Sequence, residues 1–175
     1  GNEFLNAGLG YGGSCFPKDT QALAYTFSKN KIPSKIIQSV IDTNNEQRKY
    51  FFSKILDRFP KKELRKKSIL FLGTAFKPYT DDIRESVGIS LIKMISPTVK
   101  RITVFEPIAR ENSINALSNL NNVRFQKNRV PHIDDDYNFI IIATEYPEFL
   151  KIPLKNFKKL RDKVIFDGRN ILNKE

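Results

Sequence analysis

The sequence is poor in the residues that build disulfide and metal chemistry. A single cysteine, Cys15, cannot close an internal disulfide, which suits a reducing compartment and leaves the thiol either a buried small hydrophobe or a reactive group. The only histidine, His132 in VPHIDDD, has no partner set for a triad or a metal site; it reads as a loop residue, and no metal is expected. Long apolar runs are missing too. No stretch approaches the roughly 18 uninterrupted apolar residues of a membrane helix, and the glycine-rich, polar start is unlike a signal sequence. Nothing points to export, and a cytoplasmic protein is expected. The chain begins at Gly1 and its only methionine is Met94, so a fragment of a longer protein is also expected.

What is present is a chain of 175 residues, 40% apolar, long enough to bury a core as one domain or one domain with an appendage. Thirty Lys and Arg against nineteen Asp and Glu give a net charge of +11. Such a surface attracts anions, whether nucleic acid, phosphate-bearing metabolites or acidic lipid.

Apolar spacing predicts a short helix in TQALAYTFSKN, interrupted at Pro33, and a longer one in SKIIQSVIDTNNEQRKYFFSKILDRF that ends at Pro60 and needs a partner for its apolar face. The basic run FPKKELRKK then reads as a solvated connector. From Ser68 the pattern changes to short apolar runs (SILFLG, RITVFEP, VRF, NFIIIATE, KVIFDGRN) alternating with helical stretches (SVGISLIKMI, SINALSNL). This predicts an α/β fold: a helical segment, residues 1–67, followed by a Rossmann-like, mostly parallel sheet domain, residues 68–175. Ligands of such sheets bind outside the carboxyl ends of the strands, so GTAFKPYTDDIRES, EP, ATEYPEF and DGRN are the segments to watch.

The stretch GLGYGGSCFPKD, residues 8–19, concentrates glycines around the thiol. It fails as a Walker motif, because Ser14 and Cys15 stand where lysine and a hydroxyl residue are needed. It fails as a dinucleotide fingerprint, because the preceding residues are too few and too polar for a strand. What remains is a backbone cradle able to approach an extended ligand closely. Pro17 fits a first helical turn, so Cys15 falls just ahead of a helix N-terminus with Lys18 nearby, where a nucleophilic thiolate is favoured, and Asp19 is a proton acceptor close by.

FLNAGLGYGGSCFPKD resembles the active-cysteine segment of the UDP-glucose/GDP-mannose dehydrogenase family, in particular its UDP-glucose 6-dehydrogenases. GTAFKPYTDDIRES and FDGRN resemble two further segments of that family, in the same order, so the similarity spans nearly the whole chain. The resemblance implies an NAD-dependent, four-electron oxidation of UDP-glucose to UDP-glucuronate through a cysteine thiohemiacetal and thioester. Cys15 would be the nucleophile and Asp19 would assist proton transfer or activate water. Phe4, Leu5, Asn6, Ala7, Gly8 and Gly12 would line the UDP-sugar, with Phe76, Lys77 and Arg169 as further substrate contacts and Lys18 and Arg84 near the cofactor. It further implies a homodimer formed through the central helix of the 1–67 segment, a UDP-binding domain at 68–175, and an NAD-binding domain not contained in this chain, so that the chain alone would be inactive. The substrate's two phosphates would then give the positive charge a purpose at Lys77 and Arg169. Tyr146 departs from the family pattern, in which many members carry tryptophan after the glutamate.

Two alternatives stay open. One is a dehydrogenase of another nucleotide sugar, a UDP-N-acetylhexosamine or GDP-mannose. The other is a basic nucleic-acid-binding module using Arg58 to Lys67 and KNFKKLRDK. The dehydrogenase reading expects neither a nucleic-acid nor a membrane partner.

Overall fold

The computed structural model describes residues 6–172. Helix α1 (Phe16–Lys29) starts with Pro17 in its first turn and Asp19 beside its N-terminal N–H groups, and Cys15 occupies its N-cap. Helix α2 (Lys35–Arg58) follows Ser34 and stops at Phe59, before Pro60. Its fully buried residues, Phe51 and Ile55, lie in its C-terminal half, whereas Ile36 is 79% exposed near the other end.

The connector expected at the basic run contains one turn of helix, α3 (Lys61–Leu64). Leu64 is buried and its lysine neighbours are exposed, so one apolar side chain anchors a segment whose charges stay in water.

Five parallel strands form one sheet: β1 (Ser68–Leu72), β2 (Arg101–Phe105), β3 (Val123–Phe125), β4 (Phe139–Ile142) and β5 (Val164–Asp167), in the order β3-β2-β1-β4-β5. The expected α/β, Rossmann-like arrangement is therefore found, with every strand pair parallel. β1 and β4 are buried along their whole length, as expected of continuous apolar runs covered on both faces. Side-chain alternation divides the core accordingly. Ile69 and Phe71 pack with Phe51 and Ile55 of α2 and with Leu91 and Ile92 of α4 (Val87–Ile95). Leu70, Leu72, Ile140 and Ile142 pack on the other face with Tyr146, Phe149 and Leu160.

The other connections are α5 (Arg110–Ala116), three residues earlier than its periodicity suggests, and two single turns, α6 (Pro147–Leu150) and α7 (Leu154–Phe157). Strand order reverses between β1 and β4, which makes the crevice at their carboxyl ends the natural ligand position. Among the described residues no helix is long and apolar enough to cross a membrane.

Candidate active site at the carboxyl edge of the sheet

Residues 8–13 wrap over this edge. Leu9 is buried and lies over Gly168, where a methyl group would fall 2.6 Å from its Cγ. Gly8 lies against Arg169: a Cβ there would stand 2.7 Å from Nη1, so a side chain would have to displace the guanidinium. Gly13 donates its N–H to the Arg84 carbonyl at 2.9 Å and faces the Phe76 ring with φ +85°, a left-handed conformation that favours glycine. A loop from one end of the sequence thus closes on turns that follow β1 and β5.

Helix α2 holds the loop from the other side. Asn44 Oδ1 accepts the Tyr11 N–H at 2.7 Å, Asn44 Nδ2 donates to the Tyr11 carbonyl at 3.1 Å, and Gln47 Nε2 donates to the Gly8 carbonyl at 3.0 Å. Asn44 and Gln47 are three residues apart and so share a helix face. Sequence reasoning gave them no role; the signal was the polar interruption NNEQ inside an otherwise apolar helix pattern.

Cys15 is exposed, with its Sγ 3.7 Å from Ser14 Oγ. Asp19 lies one turn further along α1 on the same side, and its N–H donates to the Cys15 carbonyl at 2.8 Å. Its carboxylate pairs with Lys18 at 2.8 Å. Lys18 is raised above its ordinary pKa by that hydrogen bond and by the charge of Asp19, with Cys15 adding a smaller contribution. Arg84 is raised by its hydrogen bond and charge interaction with Asp82, and again by Cys15. The thiol therefore lies within the electrostatic reach of two cations, Lys18 and Arg84. Asn6 and Ala7 are exposed at the loop's entrance, and the Ala7 carbonyl accepts from Asn170 Nδ2 at 3.4 Å. Phe4 and Leu5 lie outside the described residues.

Gly12 backs onto the Glu85 carbonyl and Phe76 Cβ. Phe76 is half-buried under this loop, and Lys77 is exposed with its Nζ 5.4 Å from the Phe76 ring centroid. Arg169 pairs through Nε with Glu145 at 2.5 Å, while Asp167, its neighbour in sequence, instead accepts the backbone N–H groups of Arg169 and Leu172. The Arg169–Glu145 contact is close but poorly aligned as a hydrogen bond, and both atoms are buried without another partner.

Beneath these residues lies Glu106, 2% exposed at the end of β2. Its carboxylate accepts six hydrogen bonds: from the Thr74 N–H and hydroxyl, the Ala75, Ile108 and Ala109 N–H groups, and the Tyr146 phenol. Ser86 and Thr144 take up the carbonyls of Thr74 and Ala75 at 2.5 and 2.8 Å. The base of the turn carrying Phe76 and Lys77 is thereby fixed on both its N–H and C=O sides. Burial, followed by the hydrogen bond to Glu106 and its charge, pushes the Tyr146 pKa well above the ordinary phenol value.

The sheet itself does not fit a dinucleotide. Its first turn reads GTAF, without the glycine pattern that admits a pyrophosphate. The acid at the end of β2, where a ribose hydroxyl would bind, has its acceptor capacity committed internally. Two exposed cations beside Cys15, Lys18 and Arg84, fit an anionic cofactor by charge.

The chain's positive charge is not concentrated here. The turns 73–86, 106–107, 143–150 and 167–170 carry three cations, Lys77, Arg84 and Arg169, against seven acids. Arg84 and Arg169 are paired with Asp82 and Glu145, which leaves Lys77 as the cation of these turns with no ion pair among the described residues.

Comparison with known proteins places this arrangement. A family model described as "UDP-glucose/GDP-mannose dehydrogenase family, UDP binding domain" matches residues 70–174, and the central-domain model of the same family matches residues 1–46. The UDP-glucose 6-dehydrogenase TuaD of Bacillus subtilis is 34% identical over 176 aligned residues, covering 100% of this chain and 37% of that protein. The UDP-glucose 6-dehydrogenase of Rickettsia bellii is 37% identical, covering 98% of this chain and 39% of that protein. A UDP-glucose dehydrogenase structure from Pyrobaculum islandicum superposes with a TM-score of 0.82 at 31% identity, covering 98% of this chain and 37% of that one. The chain thus spans about two fifths of the length of the relatives it matches.

Proposed function

The chain belongs to the UDP-glucose/GDP-mannose dehydrogenase family, and on that premise we propose that it supplies the nucleophile and the nucleotide-binding edge of an NAD-dependent UDP-glucose 6-dehydrogenase. The observation that carries the reading is the docking of the cysteine loop on the sheet: Gly8 against Arg169 and Gly13 against Phe76 and Arg84 bring Cys15, Lys77 and Arg169 to one edge. Relatives named UDP-glucose 6-dehydrogenase and similar over nearly the whole of this chain support UDP-glucose as the substrate.

Lys77 meets a phosphate oxygen of the substrate, and Arg169, fixed by Glu145, meets the nucleotide part beside the backbone of Gly8 and Gly12. NAD would supply the hydride acceptor, one molecule for each of the two oxidations at C6, and Lys18 and Arg84 are the residues of this chain that would hold it. The Cys15 thiolate adds to the C6 aldehyde, forming a C–S bond and a thiohemiacetal that keeps the aldehyde attached between the two oxidations. After loss of the second hydride, water attacks the thioester. Asp19, on the same side of α1, takes the water's proton, the C–S bond breaks, and the carboxylate leaves with Cys15 restored. An exposed cysteine at a helix N-cap is suited to this cycle, since a thiol sealed in the core could not reach a sugar.

The exposed apolar residues near the N-terminal half of α2, among them Ile32, Ile36 and Val40, support pairing of two copies through this helix. Residues 1–67 then form the cysteine loop and dimer helices, residues 68–175 bind UDP, and NAD is held by a further domain of the complete enzyme, which works in the cytoplasm.

The test is made on the complete protein. UDP-glucose should drive NADH formation, a Cys15→Ala variant should abolish it while still binding UDP, and UDP-glucose should protect Cys15 from alkylation. Faster turnover of a UDP-N-acetylhexosamine or GDP-mannose would reassign the substrate. Undiminished turnover by Cys15→Ala would overturn the mechanism.

A further inference from the structure

The charge missing from the ligand edge lies at the opposite one. In a parallel sheet the residues just before each strand share one edge, here joined by bonds from the Lys100 and Arg101 N–H groups to the Lys67 carbonyl, and by the Lys67–Asp162 pair at 2.9 Å. Two basic runs about 90 residues apart in sequence thereby meet: 58–67 before β1 and 158–163 before β5, with 100–101 before β2 beside them. These segments hold twelve Lys and Arg against Glu63 and Asp162. Adding Asp134, Asp135 and Asp136, which precede β4, leaves +7 of the chain's +11 on this edge, against −4 on the ligand-edge turns.

We infer that this amino edge, with the exposed face of α7, is a docking surface for an anionic lipid bilayer. Three observations select lipid over nucleic acid. Among the described residues the exposed aromatics, Phe16, Tyr25, Tyr50 and Tyr79, lie on α1, α2 and the ligand-edge turn, so this surface has no platform for base stacking. Its helices, α3 and α7, are four residues each, too short to read a groove. Its free charges are largely lysines, since Arg101 and Arg161 both turn to Asp136; a mobile ammonium suits a fluid headgroup layer, which offers no fixed fork to match.

An apolar element completes the surface. Leu154 is 79% exposed and stands one helical turn before Lys158, beside Lys155. An exposed leucine with Lys155 next to it and Lys158 one turn on has no purpose in a phosphate site, but it can enter the headgroup boundary while these lysines hold the anionic lipids. The dehydrogenase reading expects no membrane partner, but surface attachment needs no spanning segment and leaves that chemistry untouched. In this orientation the ligand edge faces away from the bilayer and stays open to its substrate.

The test is co-sedimentation of the complete protein with phosphatidylcholine vesicles, with and without about 30% phosphatidylglycerol. Binding should require the anionic lipid and fall steeply with salt. K158E/K159E should weaken it about tenfold or more, and L154S should weaken it several-fold while leaving the salt dependence in place. K35E/K49E, on α2, should leave binding unchanged. Circular dichroism checks that the variants fold; all these side chains are exposed. Equal binding to neutral vesicles, no binding, indifference to K158E/K159E, or tighter binding to a DNA duplex than to the anionic vesicles overturns the inference.

Discussion

The Tyr146 phenol donates a 2.7 Å hydrogen bond to Glu106, joining the turn after β4 to the acid that ends β2. Through Glu106 the same bond reaches Thr74 and Ala75, the base of the turn that presents Phe76 and Lys77. In this chain the residue after Glu145 is thus a strut of the ligand edge, and a phenol is needed because a buried carboxylate requires donors. Tyr79, on the rim of this edge, packs edge-on against Tyr146 with ring centroids 5.9 Å apart and hydrogen-bonds to Glu148 at 3.2 Å.

Tyr146→Phe should therefore destabilise the protein by about 1–3 kcal/mol, the cost of leaving a buried carboxylate oxygen short of a donor. Chemical denaturation at neutral pH measures this. The folded pKa of Tyr146 is raised, so its contribution is fully present below the ordinary value of 10.0 and is lost as pH rises beyond it. The stability gap between wild type and variant should close in that alkaline range.

Gly13→Ala should undock the cysteine loop. The position has φ +85° and a methyl would fall 2.7 Å from the Phe76 ring, which together cost about 1–3 kcal/mol. Hydrogen exchange reads this at the Gly13 amide, whose bond to the Arg84 carbonyl should lose protection while the β1 and β4 amides keep theirs.

Asn44→Ala with Gln47→Ala removes three hydrogen bonds from α2 to the loop without touching the sheet. Proteolysis within residues 8–14 should accelerate several-fold, with a global stability loss of about 1–3 kcal/mol. An unchanged cleavage rate would mean that the sheet contacts alone hold the loop.

Acid should loosen the turn after β1. The Arg84 side chain hydrogen-bonds to Asp82 at 2.7 Å and, aided by its own N–H and charge and by the charge of Lys77, holds the Asp82 carboxyl below its ordinary value of 3.8. A lowered folded pKa means that the contribution is present above the ordinary value and is lost as pH falls through the lowered one. Asp82→Asn should show a shallower decline in stability on acidification, measured by denaturant unfolding across that range.

Cys15→Ser should leave the folding stability of the chain within about 0.5 kcal/mol of wild type, because the side chain is exposed. A large loss would argue for a packing role and against a nucleophile.

Much of this fold was legible because its signals are local. Unbroken apolar runs at 68–72 and 139–142, the caps around Pro17 and Pro60, and strand-helix alternation each depend on a few neighbouring residues, and they determined the strands, the parallel sheet and the edge where its turns would gather. The resemblance picked out Cys15, Lys77 and Arg169 by motif. Only the tertiary structure decided that Asn44 and Gln47 clamp the loop, that Glu106 and Tyr146 brace the turn, and that Arg169 turns to Glu145 while the basic runs meet at the far edge. Those partners are separated by tens of residues, and no periodicity records which side chain a folded backbone will bring within 3 Å of which other.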